Sequence, residues 1–176
     1  MVAGFHTGDQ RRCGDRLTAD QIICTMATDS TRRLHHHTPS WISSGAVFHI
    51  RGRVTSVNPH LLTEPRVAGA LLESAKYYHE TGAWFCHLLL LMPDHWHALL
   101  SFPPDAKMIV VIGRWKAWQK RTQGILWQDN FFDHRIRYDR EFQLKADYIR
   151  QNPVVKGLCM KPEEWPWAIA FDLNCA

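Results

Sequence analysis

The order of strand and helix signals along this chain fits an α+β domain on an antiparallel sheet, with helices packed mainly on one face. Three observations are compatible with it. AWFCHLLLLM is a nearly continuous apolar run, the pattern of a strand buried on both faces and so inside a sheet. Pro93-Asp94 makes a tight connection from it into HWHALLSF, a second strand, and the two form a hairpin. Two further stretches, roughly 64–80 and 106–122, carry apolar residues at helical spacing. At 176 residues and 45% hydrophobic composition, the chain suffices for one core and is short for two.

Residues 1–33 carry scattered charge, two cysteines and no sustained apolar period, and read as a poorly ordered arm; Met26 is an alternative start. Residues 34–176 read as a single domain. In RLHHHTPSWISSG, His35, His36 and His37 look like a metal-binding tract, but a polar lead-in is the simpler reading. AVFHIRGRVTSV alternates as a strand, with Val47, His49 and Arg51 on one face and Phe48 and Ile50 on the other. Val67, Ala70, Leu71, Ala75 and Tyr78 then follow a helical period that ends near Thr81-Gly82.

After HWHALLSF, Pro103-Pro104 stops the strand and Asp105 is placed to cap a helix over roughly 106–122. Its period puts Met108, Val111, Ile112, Trp115 and Trp118 on one side and leaves Lys107, Arg114, Lys116, Lys120 and Arg121 to solvent. Gly124 breaks the pattern. ILWQDNFFDHRIRYD follows, where Arg135, Arg137 and Arg140 interleave with Phe131, Phe132 and Tyr138, a mixture suited to single-stranded nucleic acid. EFQLKADYIRQN reads as the last main helix, expected to end at Asn152-Pro153 because the residue before proline avoids helical geometry.

Twenty-one Lys and Arg against 17 Asp and Glu give a net charge of +4, an excess that suits a polyanionic partner without requiring one. Eight tryptophans are divided in this reading about evenly between core and surface. Five cysteines with no C-x-x-C spacing argue against a disulfide framework or a zinc knuckle, and favour a reducing cytoplasm. No apolar stretch approaches the length of a membrane span, and the first residues lack the order of a signal peptide.

The candidate chemistry starts at His95-Trp96-His97. Two imidazoles two residues apart on a strand share one face, their Cα atoms roughly 6 to 7 Å apart, which is metal-ligand geometry. Trp96 faces the other way and can bury its ring. Alone this pattern is weak, since most such pairs are ordinary histidines. In the last helix Tyr148 and Asn152 are four apart and share a face about 6 Å apart along the axis. Two imidazoles and an amide oxygen would make a mixed site with open positions, suited to Mg²⁺ or Mn²⁺ holding phosphate oxygens more than to a closed zinc site. The Tyr148 hydroxyl could then attack a phosphodiester. Alternatively Tyr148 only packs its ring and Asn152 only ends a helix, and the residues by themselves leave both readings open.

MPDHWHALLSFP, WQDNFFDHRIR and DYIRQNPVVKGLCMKPEEWPWA, in this order, resemble the REP-associated tyrosine transposases, relatives of the HUH-superfamily single-strand transposases. The similarity runs from about Arg33 to Phe171. It implies a ferredoxin-like antiparallel sheet. It also implies that His95 and His97 bind a divalent metal, Mg²⁺ or Mn²⁺, that Tyr148 is the nucleophile, and that Asn152 is the third ligand. The activity implied is endonuclease and strand transfer at single-stranded DNA hairpins, leaving a 5′-phosphotyrosine and a free 3′-hydroxyl, by a monomer or a homodimer. Arg51, Arg114, Lys116, Lys120, Arg121, Arg135, Arg137 and Arg150 are then the candidate DNA contacts. The competing readings are a hairpin-binding protein without cleavage and a metal-dependent hydrolase that uses water. Trp96 is bulkier than the usual middle residue of the histidine motif, and the first 33 residues match nothing in the family. Trp165-Pro166-Trp167 reads as a pin for the C-terminal tail.

Overall fold

A computed structural model of the chain describes Met1, residues 45–55, Asn58 and residues 61–171. The expected N-terminal arm and the His35–His37 tract lie outside the described residues. The described strands form one five-stranded antiparallel sheet. In chain order they are β1 (Val47–Arg53), β2 (Phe85–Leu91), β3 (His95–Ser101), β4 (Phe132–Arg135) and β5 (Ala168–Ala170). Across the sheet the order is β4-β1-β3-β2-β5, so the apolar β2 and the histidine-bearing β3 are interior strands, as their composition predicts. The helices are α1 (Pro65–Glu80), α2 (Met108–Gln123) and α3 (Asp139–Val155). No helix among the described residues is long and apolar enough to cross a membrane.

Strand alternation divides the fold into two faces. Phe48, Ile50, Cys86, Leu89, Leu91, Trp96, Ala98 and Leu100 point to one side, where α1 buries Val67, Ala68, Leu71 and Ala75, and α2 buries Met108, Ile112 and Trp115. Leu88, Leu90 and Leu99 point to the other, where α3 lies across them with Phe142, Ala146 and Ile149, and Trp165 packs alongside. Two helices on one face and one on the other match the expected α+β class. The third helix carries the candidate nucleophile to the histidine face.

Several local expectations need correction. The second helix starts at Met108 with Lys107 as N-cap and no side-chain cap, because residues 103–106 close a turn first, the Ala106 amide donating to the Pro103 carbonyl at 3.0 Å; Asp105 is therefore not the cap. Trp118 is 48% exposed, not core-facing, and the Arg121 guanidinium sits 4.8 Å from its ring centroid. The last helix does not stop at Asn152. Pro153 lies within it, buried, and the helix runs on to Val155. Near a C-terminus a proline forfeits one bond back to residue 149, and the following turn is held by the Lys156 amide on Asn152 and the Leu158 amide on Pro153. Strand β2 carries a bulge at His87, between Cys86 and Leu88, which periodicity could not show.

The C-terminal Trp-Pro-Trp segment does pin the tail. Trp165 Nε1 donates to the Leu91 carbonyl at 2.9 Å, and the Leu91 amide donates to the Trp167 carbonyl at 2.8 Å, which leads β5 alongside β2. Cys86 and Cys159 are unpaired. Burial pushes the Cys86 thiol up to about 12, leaving it unreactive.

Candidate metal and nucleophile site

The site lies at the junction of β1, β3 and α3. In the β1–β3 ladder Arg53 stands opposite His95, Arg51 opposite His97, and His49 opposite Leu99. Directly paired residues share a face, so His95, His97, His49, Arg51 and Arg53 all point to the α3 side. The predicted imidazole pair is thus real: the His95 and His97 rings lie 5.0 Å apart between centroids, nearly perpendicular at 80°. Trp96 between them is fully buried on the opposite face, as expected.

Each imidazole has its Nδ1 engaged. His95 Nδ1 and Asp94 Oδ1 are 2.6 Å apart, and Asp94 Oδ2 in turn meets Arg53 Nη2 at 2.8 Å. His97 Nδ1 shares a hydrogen bond of 3.1 Å with His49 Nε2, the two rings stacked at 15°. In both ligand candidates Nε2 is then the nitrogen left for a metal, with the outer atom fixed by a partner, the arrangement typical of histidine metal ligands. Among the described residues no three His, Cys, Asp or Glu side chains are grouped to hold a metal alone, so a metal on the two imidazoles would need a ligand of another kind.

The electrostatics keep these rings neutral, the form that can ligate. Burial holds His97 well below the ordinary histidine range, reinforced by His95, His49, Arg51 and Lys145. Burial also lowers His95; the bond and charge of Asp94 pull the other way without cancelling it. His49 is pulled down to about 3, by burial first and then by Lys145, His134 and Arg51. Burial pushes the Asp94 carboxyl up, but His95 and Arg53 together outweigh it and leave it below its usual value, an anion at neutral pH.

Helix α3 delivers Tyr148. Its buried stripe, Phe142, Ala146, Ile149 and Pro153, seats the helix on the sheet, which leaves Lys145, Tyr148 and Asn152 along the stripe's flank. At its entry, Glu141 takes His134 Nε2 of β4 at 2.6 Å and the Arg137 amide at 2.9 Å, tying the first turn to the sheet edge. The Tyr148 ring meets His97 edge-on at 6.0 Å and 87°, and His49 at 6.4 Å and 78°. Lys145 Nζ lies 5.5 Å from its ring centroid. Tyr148 is 52% exposed. Asn152 sits one turn on, its side-chain amide donating to the Tyr148 carbonyl at 2.7 Å, which leaves Oδ1 as its acceptor atom.

The cationic residues separate. Arg51 is exposed beside the histidines, and Arg150 is on α3, 3.8 Å from Asp147 Oδ1. Arg137 is exposed just before α3. Arg135, half-buried, stands opposite Phe48 and so points to the far face. Arg114, Lys120 and Arg121 are exposed, but on α2, on that same far side. Lys116 is a correction: it is buried, and its Nζ donates to the Gln128 carbonyl at 2.6 Å, so it is not a solvent-facing contact. Position 116 adjoins Trp115 and lies one turn from Ile112 and Gln119, inside the buried stripe, and burial pulls its ammonium below the usual lysine range. Two residues of the site, His49 and Asp94, were not legible as such. His49 was visible only as one residue on a strand face, and Asp94 only as a turn former.

Against known proteins, no family model matches the chain. It is 28% identical over 94 residues to the REP-associated tyrosine transposase of Escherichia coli (strain K12), covering 51% of this chain and 53% of that protein. Over 97 residues it is also 28% identical to a protein of Haemophilus influenzae described as a putative REP-associated tyrosine transposase, covering 46% and 55%. A solved REP-associated tyrosine transposase bound to a REP hairpin shares its fold, with a TM-score of 0.63 over 75% of this chain and 81% of the other at 20% identity. The chain is thus similar to REP-associated tyrosine transposases in sequence over about half its length, and to one of them in fold. It spans about half the length of the two sequence relatives. This similarity and the ferredoxin-like sheet agree with the resemblance carried by the histidine and tyrosine motifs.

Proposed function

We propose that this protein is a metal-dependent single-stranded DNA endonuclease and strand transferase acting at hairpin-forming palindromic repeats, with Tyr148 as nucleophile. One observation carries the reading: the Tyr148 ring converges on His97, while His95 and His97 each have Nδ1 engaged and Nε2 left over. The hairpin-bound structural relative supports the substrate class.

The two imidazoles offer donors of a kind that suits a divalent cation, and Asn152 Oδ1 is the third donor this reading requires. His95 and His97 would hold Mg²⁺ or Mn²⁺ with the Asn152 side-chain oxygen, and when bound the ion polarises the scissile phosphodiester. Tyr148 Oη forms the new bond to phosphorus as the bond from phosphorus to the 3′ oxygen breaks. The electron pair leaves on that oxygen, which takes a proton from water and ends as a free 3′-hydroxyl. The phenolic proton passes to solvent, to which Tyr148 is open. The 5′-phosphotyrosine conserves the bond energy, so attack by another 3′-hydroxyl rejoins the strand and frees the tyrosine. Arg51, Arg137 and Arg150, with Lys145, supply cations near the site for the DNA backbone. Both imidazoles and the nucleophile come from one chain and meet within it, which supports action by a single unit.

The test is incubation with labelled single-stranded hairpin DNA and Mn²⁺, then denaturing electrophoresis. The wild type is expected to give a denaturation-resistant protein-DNA band that Tyr148→Phe abolishes. Cleavage that persists in Tyr148→Phe would make the protein a water-using hydrolase. Binding without cleavage across a broad hairpin library would make it a binding protein.

A further inference from the structure

We propose that His49 is a positioning residue for His97, its Nε2 accepting the His97 Nδ1 proton and so fixing the tautomer and ring orientation that present His97 Nε2 as a ligand. This rests on the metal-site reading above. His49 is only 5% exposed, and its hydrogen bond to His97 is 3.1 Å long with the rings stacked at 15°. Its other nitrogen, Nδ1, is buried and meets no described hydrogen-bonding group. A buried polar ring with half its capacity unmet is unfavourable, whereas an apolar side chain would pack against Phe132 and Tyr148 without that loss. The bond His49 makes to His97 is what distinguishes it from such a side chain.

The parallel with His95 strengthens the assignment. Asp94 engages His95 Nδ1 from the adjacent residue, and His49 engages His97 Nδ1 from the neighbouring strand. His49 stands opposite Leu99, not His97, so it reaches its partner diagonally across the ladder. Both ligand candidates thereby receive an outer partner at the same ring atom. One partner is an anion and the other a neutral imidazole.

Two readouts other than cleavage test this on the full chain. Nitrogen NMR of the metal-free protein at neutral pH should find the His97 proton on Nδ1 in wild type and moved to Nε2 in His49→Phe. Free-Mn²⁺ electron resonance should show affinity falling about ten- to a hundredfold in His49→Phe. His49→Gln, whose side-chain oxygen can accept the same proton, should recover most of that loss. A His97 proton on Nε2 in wild type, or Mn²⁺ affinity unchanged in His49→Phe, would overturn the proposal. His95→Ala separates it from the underlying reading: if Mn²⁺ binding ignores that change, the metal site is wrong, while the wild-type tautomer still decides the role of His49. Should His49→Phe fail to fold, the wild-type tautomer and the Gln variant carry the test.

Discussion

The two faces of the sheet are built from the same strands and do different work. On the face covered by α1 and α2, β3 contributes Trp96, Ala98 and Leu100 to a large core that also holds Trp84 and Trp115. On the face crossed by α3, the same strand contributes His95 and His97, and the apolar cluster is smaller. On the first face Trp115 Nε1 and Gln119 Nε2 both donate to Ser74 Oγ, while Trp96 Nε1 is buried with no hydrogen-bond partner among the described residues. On the second, polar groups are tied around His95 and His97, whose Nε2 atoms meet no hydrogen-bonding partner among the described residues. The larger apolar cluster lies on the two-helix face, which is therefore expected to carry the greater share of the stability.

The largest test of this division is Trp96→Ala. It empties a fully buried site on the two-helix face and should cost about 3–5 kcal/mol, read from the denaturation midpoint. A small loss would mean that this face is not where the stability lies. Gly52→Ala probes the same contact from the opposite strand, because a Cβ there would stand 2.5 Å from Trp96 Nε1, and about 1–3 kcal/mol should be lost. On the other face, Asp94→Asn should leave folding within about 1 kcal/mol of wild type yet weaken Mn²⁺ binding about tenfold, read by the same electron resonance titration. Loss of folding instead would make the Asp94, Arg53 and His95 chain a structural staple.

A subtler difference is in pH dependence. Folding lowers His49 from 6.5 to about 3 and lowers His95 and His97 as well. Below about 6.5 the unfolded chain binds protons that the folded chain refuses, so this contribution to stability is complete above that pH and is lost as pH falls toward 3. Melting temperature should therefore drop from neutral to mildly acidic buffer, and His49→Leu should flatten the drop. An unchanged profile in that variant would place the acid sensitivity elsewhere. The smallest effect concerns DNA. Arg51→Gln should lower the salt slope of hairpin binding by about one, and Arg114→Gln with Lys120→Gln, on the far face, by less. A larger effect from the α2 pair would put the DNA on the stable face.

Much of this arrangement was legible in the chain. Period-two alternation put His95 and His97 on one face and Trp96 on the other, and β1 was read with His49 and Arg51 together; both hold in the structure. The helical stripe of α1 was equally plain. The phase of α2 was not: Trp118 and Lys116 exchanged expected places, because an amphipathic period with basic residues on several sides leaves the boundary of the buried stripe uncertain by one residue. Pro153 misled for a different reason. Its cost is local, and burial against the sheet side of α3 outweighs it near a helix end.

By itself, then, the sequence determined the element types, the shared face of the two histidines and the one-turn spacing of Tyr148 and Asn152, since these follow from the fixed periods of strand and helix. Only the tertiary structure decided which helix lies over which face, that His49 reaches His97 from the neighbouring strand, and that Asp94 and Arg53 brace His95. Those facts depend on strand register and on side-chain packing between residues distant in sequence, and no local period encodes either.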